Sequence, residues 1–183
     1  MGVFNDSICN CCVCPMQSVL KQFEGQSLIG LATTNNTFFD LVNGIQVVSV
    51  DEFVVSTSIG DFPICQFSGF VYDSVAVPIE IKLQPIKKNK GECACCEDPI
   101  TNVLKSFEGE VAFVEGITGG GAFQPAGDTL IEQVGEGIFT IRSIDPLFPT
   151  ILGAGSSCVI TRVGPPMGSN LNQSTFFWSL NKN

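Results

Sequence analysis

The chain carries one passage twice. Residues 9–26, CNCCVCPMQSVLKQFEGQ, align without a gap on residues 93–110, CACCEDPITNVLKSFEGE, at a constant offset of 84 and with ten identities in eighteen positions. The identities are Cys9/Cys93, Cys11/Cys95, Cys12/Cys96, Pro15/Pro99, Val19/Val103, Leu20/Leu104, Lys21/Lys105, Phe23/Phe107, Glu24/Glu108 and Gly25/Gly109. A duplication constrains architecture before any secondary structure is assigned, because both copies are then expected to build the same kind of unit. Each copy owns a C-x-C-C cluster. Further on, Cys65 in FPICQF and Cys158 in SSCVIT stand at comparable places, displaced by nine additional residues in the second copy. Cys14 has no counterpart, since Asp98 occupies that position.

Each cluster leads into a predicted helix. Met16, Val19, Leu20 and Phe23 fall at i, i+3, i+4 and i+7, and Ile100, Val103, Leu104 and Phe107 repeat that apolar stripe. Pro15 and Pro99 suit a first turn, Asp98 an N-cap, and Gly25 and Gly109 the residue just past the helix end. Downstream, QSLIGLATT, TFFDLV, IQVVSV, EFVVSTS and DFPICQFSGF read as short strands separated by Asn, Asp and Gly turns. The second copy matches them with EVAFVEGI, TLIEQV, GIFTIRSI, TILGAG and SCVITRVG. VYDSVAVPIEIKL alternates, with Val75, Val77, Ile79, Ile81 and Leu83 on one face and Pro78 on the other, as on an edge strand. Gly119-Gly120-Gly121 lacks the Lys-Ser/Thr of a phosphate-binding loop and reads as a hairpin turn.

The expected class is therefore all-β: two small SH3-like barrels in tandem, each preceded by a C-x-C-C arm and a short α-helix. The expected division is a cysteine-rich arm over 1–14, a first barrel over 15–83, a linker with the second cluster over 84–98, a second barrel over 99–164 and a tail over 165–183. Within this class the segment from VLKQFEGQSLIG to FSGF resembles the Sm-like barrel, and VLKSFEGEVAF to CVITRVG resembles it more weakly. The resemblance spans roughly 15–70 and 99–164. Sm-like proteins commonly bind RNA, but this chain has 18 acidic residues against 9 basic ones and a net charge of −9. Such a surface repels phosphate backbones and anionic lipid, so neither nucleic acid nor membrane is an expected partner.

The sulfur chemistry is bounded by an absence: the chain has no histidine. That removes the commonest partner of a catalytic thiol, and no enzyme activity, catalytic residue or cofactor is expected. A zinc site at Cys9, Cys11, Cys12 and Cys14 is the alternative reading. It fits poorly with a duplication that leaves only Cys93, Cys95 and Cys96 in the second cluster. Buried structural cysteines describe Cys65 and Cys158, in apolar strand contexts, but not the clusters. Disulfides remain. Adjacent cysteines bridge each other only with strain, and seven clustered thiols face two distal ones among nine in all. The expectation is that some bridges run between chains. The tail sequence STFFWSL, with Phe176, Phe177 and Trp178, reads as a strand that either folds back or adds to a neighbour's sheet.

Nine cysteines in 183 residues is a density typical of oxidised extracellular proteins, yet MGVFNDSICN has no basic residue or apolar core of a secretory signal, and Asp6 breaks the myristoylation pattern. Cysteine-rich arms of the CNCC type on small β domains without a signal peptide look like structural proteins of the bacterial endospore surface, namely coat, exosporium and appendage subunits. That resemblance implies synthesis in the cytoplasm, assembly with copies of itself or with other cysteine-rich spore-surface proteins, and oxidation into a cross-linked filament or lattice outside the cell. A thiolate metal module is the runner-up, and a nucleic-acid-binding Sm-like protein the third reading.

Overall fold

A computed structural model describes residues 8–88, 97–117 and 127–167. Helix α1, Ile8–Lys21, is followed by β1 (Ser27–Leu28), β2 (Gly30–Thr33), β3 (Thr37–Phe39), β4 (Ile45–Asp51), β5 (Val54–Thr57), β6 (Gly60–Pro63), a 3-10 turn (Ile64–Gln66) and β7 (Phe67–Asp73). The second half repeats the order with α2 (Asp98–Ser106), β8 (Val111–Gly116), β9 (Gly127–Val134), β10 (Ile138–Arg142), β11 (Ile151–Ser156), a 3-10 turn (Ser157–Val159) and β12 (Ile160–Gly164). The described residues are thus mostly β-sheet with two short helices, and the larger sheet curls into a half-barrel.

The duplication is visible bond by bond. Gly25 and Gly109 close the turns that follow their helices at φ +79° and +83°, a backbone region that glycine enters without a Cβ clash. Their N–H groups donate to Val47 O and Ile131 O, each at 2.8 Å. The preceding carboxylates, Glu24 and Glu108, accept the N–H of Val50 and of Val134, each at 2.7 Å. The repeated Phe-Glu-Gly is therefore a device for tying the helix end to a strand: the ring fills the core, the carboxylate caps a strand amide, and the glycine turns the chain.

The halves are joined edge to edge. One sheet has four strands in the order β1-β4-β5-β6, all from the first half. The other has eight, β12-β8-β9-β10-β11-β7-β2-β3, and passes from one half to the other at β11–β7. That antiparallel pair sets Gly69 opposite Gly155, Phe70 opposite Ala154, Val71 opposite Gly153 and Tyr72 opposite Leu152. The small residues are needed there. A Cβ on Gly69 would lie 2.6 Å from Ala154 O, and one on Gly153 would lie 2.9 Å from Phe70 O. In each half the last strand also returns to an early one: β7 pairs with β2 and β12 with β8.

Two apolar clusters follow. The larger takes Met16, Val19 and Leu20 from α1 and Phe23 from the turn after it, with Leu31, Val47, Val55, Phe70 and Tyr72, and it includes Ile138 from the second half. Phe23 meets Phe70 and Tyr72 edge to face, each at 4.8 Å between centroids, a preferred aromatic geometry. The smaller cluster is built on Leu104, Ala112, Val114, Ile131, Val134 and Phe139.

Several expectations change. The stretch 9–14 does not precede the first helix but lies within it, and Pro15 sits inside the helix where its first turn was expected. Proline there removes the bond its own N–H would make to the carbonyl four residues earlier and crowds that carbonyl with its ring. In the second copy the N-cap is Glu97, without a side-chain capping bond, and Asp98 is the first helical residue. Residues 74–88 form no strand. Val77 N–H donates to Asp73 O and Ile79 N–H to Val77 O, so the chain bends there, burying Val77 and Ile81 and leaving Val75 exposed. β7 and β11 join the two halves in one sheet. Gly119 to Gly121, the clustered Cys93, Cys95 and Cys96, and the tail with Phe176, Phe177 and Trp178 lie outside the described residues.

Candidate cross-linking site

Cys12 on α1 and Cys158 on the second 3-10 turn form a disulfide, with Cα atoms 6.2 Å apart and 146 residues between them in sequence. It ties the first half's helix to the second half at the same junction that β7–β11 makes. Cys12 is buried, and its Sγ lies 4.0 Å from Ser157 Oγ, which is itself 3.5 Å from Thr101 Oγ1 on α2. The Cys158 N–H donates to Ser156 Oγ. Glu97, at 1% exposure, brings a carboxylate oxygen into a group with the two sulfurs in which all three atoms lie within 4.8 Å of one another.

Cys14 and Cys65 are free and exposed. On a helix, positions two apart are separated by about 200°, so a bridge that draws Cys12 inward turns Cys14 out to solvent. Cys65 and Cys158 are not the buried structural cysteines expected from their apolar contexts. Both occupy the middle of a 3-10 turn whose first residue, Ile64 or Ser157, points inward, while the cysteine is exposed. The first turn interrupts the strand expected over DFPICQFSGF, and the second replaces the start of the strand expected over SCVITRVG. Of the remaining candidates, Cys9 and Cys11 belong to α1.

Elsewhere, a cleft of about 500 Å³ opens between residues 78–81 and the β9, β10 and β11 strands. Its charged residues include Glu132 and Arg142, which pair with each other at 2.5 Å. On its wall the Tyr72 hydroxyl donates to Ile79 O at 3.2 Å. Burial, then the nearby Glu132 carboxylate, push that phenol up to about 12. A phenol held protonated is no nucleophile at neutral pH, and no cysteine lines the cleft. Among the described residues, no helix is long and apolar enough to cross a membrane.

No family model matches the chain, and neither a curated protein nor a solved structure does.

Proposed function

We propose that this protein is a non-enzymatic structural subunit, built from two Sm-like barrels in tandem, that assembles head to tail with copies of itself and is locked by disulfides into a filament or lattice of the endospore surface. Support for the barrel reading comes from the repeated order of helix, strands, 3-10 turn and last strand, with that last strand returning to β2 in the first half and to β8 in the second. The observation that carries the assembly reading is the uneven use of equivalent cysteines. Cys158 is consumed within the chain, whereas Cys65, on the corresponding turn of the first half, is free at the surface together with Cys14. A heterologous contact between unlike halves propagates from subunit to subunit unless it closes into a ring. Bridges of roughly 2–4 kcal/mol each then make the polymer resistant to denaturants. Electrophoresis of air-oxidised protein in detergent, with and without reductant, tests this. A ladder of covalent oligomers that reductant collapses to one chain is expected, and a single-chain band in both lanes would refute cross-linking.

One observation favours the runner-up. With the bridge reduced, Cys12 and Cys158 thiolates and the Glu97 carboxylate offer three ligand atoms within 4.8 Å of one another, a donor set zinc accepts. Elemental analysis of reduced protein distinguishes the two readings, since stoichiometric zinc is expected only of the metal module.

A further inference from the structure

Among the described residues the three most exposed large apolar side chains are Val42, Leu147 and Val75, at 90%, 80% and 74%. Each stands two residues after an aspartate whose Oδ1 accepts its backbone N–H. Asp40 holds Val42 at 3.0 Å, Asp145 holds Leu147 at 2.9 Å and Asp73 holds Val75 at 2.9 Å. A side-chain turn of this kind fixes the backbone locally, so each apolar residue is pinned in water by the same device. Burial is what stabilises an apolar side chain, and a single chain gains nothing from this presentation.

The three turns open off one end of the eight-stranded sheet. Phe39, near the end of β3, lies opposite Gly30 at the start of β2, which in turn lies opposite Val71. Asp73 at the end of β7 lies opposite Ile151 at the start of β11. The turns at 40–44, 73–76 and 143–150 are therefore neighbours, and the Ser74 N–H and hydroxyl both donate to Thr150 O at 2.9 Å. Leu41, Ile144 and Phe148, all exposed, widen the apolar area. Six such side chains offer several hundred Å², more than a monomer usually leaves bare and approaching the roughly 800 Å² that each partner of a stable complex contributes.

Charge selects the occupant. The three turns carry Asp40, Asp73 and Asp145 and no basic residue, and the adjoining Arg142 is paired with Glu132. An anionic lipid surface is repelled, and the same patch on a second copy would set three carboxylates against three. The opposite end of the sheet differs. There the β9–β10 hairpin turn holds the segment 84–88, through Glu136 N–H to Gln84 O at 3.0 Å and Lys87 Nζ to the Glu136 carboxylate at 3.0 Å. That segment, QPIKK, has no acidic residue. Its Ile86 is 39% exposed, and Lys88 adds an exposed positive charge beyond the one that Glu136 offsets. β10 runs from this hairpin at Ile138 to Arg142, just before the 143–150 turn. A copy shifted along β10 without rotation thus brings Asp145 and Leu147 over the 84–88 segment of the next.

We infer that the three aspartate-pinned turns of one chain dock on the 84–88 end of a second copy, with Leu147 and its apolar neighbours meeting Ile86 and Asp145 meeting Lys88. The contact joins unlike ends, so it repeats from copy to copy. Neither side of it uses a cysteine, so it forms in reductant and precedes cross-linking. This deepens the assembly reading above and rests on it.

Sedimentation velocity of the full chain in reductant, over a range of concentrations, is the test. One variant combines Val42→Ser, Val75→Ser and Leu147→Ser; the other combines Ile86→Ser and Lys88→Glu. All five positions are exposed, and both variants are expected to keep the circular dichroism of the parent. The parent is expected to form multimers. Each variant alone should associate at least tenfold more weakly, and their equal mixture should form pairs and nothing longer, because one intact contact remains. Pairing of the Ile86/Lys88 variant with itself would mean that turns meet turns, and parent-like association of the serine variant would mean that the patch is not used. Either result overturns this contact and leaves the assembly reading standing, as does a parent that stays single in reductant yet forms covalent oligomers on oxidation. Flotation of the parent, but not of the serine variant, with phosphatidylcholine vesicles would make a lipid surface the occupant and overturn the second copy. A parent that associates neither reduced nor oxidised overturns both readings.

Discussion

Replacing both Cys12 and Cys158 by serine opens a loop of 146 residues without leaving a stray thiol at the junction. In the chain-entropy description, closing a loop of that length stabilises the fold by about 5 kcal/mol, although measured bridges more often contribute about 2–4. The lower part of that range is expected here, because β7–β11 pairing and burial of Ile138 against α1 already hold the halves together. Serine adds little cost of its own, since Ser157 Oγ lies beside the Cys12 sulfur and can exchange a hydrogen bond with it. Urea unfolding read by circular dichroism, with Cys14 and Cys65 also replaced to remove their cross-links, measures the effect. At a urea dependence of roughly 2 kcal/mol per molar, the midpoint should fall by about 1–2 M. Reductant should move the parent curve onto that of the variant. Coincident curves for oxidised parent, reduced parent and variant would mean that the bridge does not restrain the fold, and the reasoning about the junction would fail with it.

Other consequences follow from single contacts. Gly69→Ala places a methyl 2.6 Å from Ala154 O and should destabilise by about 1–3 kcal/mol, seen as a lower melting temperature. Glu108→Ala leaves the Val134 amide without its carboxylate and should cost about 1–2 kcal/mol by the same assay, with Glu24→Ala behaving alike at Val50. Phe53→Gly relieves a positive φ of 65° at a position whose counterpart is Gly137, with the same φ. It should stabilise the reduced chain by about 1 kcal/mol in urea. Tyr72 titrates higher in the fold than in the unfolded chain, so the stability tied to its proton is complete below about pH 10 and is lost as pH rises toward about 12. Tyr72→Phe should therefore flatten the alkaline decline of the melting temperature.

The parts of this architecture that were legible in sequence are those governed by local chemistry. Met16, Val19 and Leu20 became a buried helix face with Phe23 buried just beyond it, and Gly25 and Gly109 took left-handed geometry in the turns that follow helices ending earlier than expected, at Lys21 and Ser106. The strands of both halves fell close to where alternation placed them, up to Asp73 and Gly164. What was not legible depends on long-range contact. Nothing local distinguishes Gly153 and Gly155 as a seam from glycines in a turn, and only their approach to β7 gives them that role. Residues 74–83 alternate like a strand, but find an apolar cluster to cover instead of an edge to pair with. The cysteine count pointed to bridges but could not foresee that Cys12 would reach across to the other half. Pairing reflects which turn the fold sets beside which helix, and spacing along the chain does not encode it. The Cys65/Cys158 correspondence was readable from the start; its asymmetry, one bonded and one free, required the fold.

Electron microscopy of purified full-length protein oxidised in air addresses the central claim most directly. Ordered filaments, rings or sheets with one repeating subunit are predicted, resistant to detergent until reductant is added. Particles of a single chain's mass, unchanged by oxidation at any protein concentration, would contradict it.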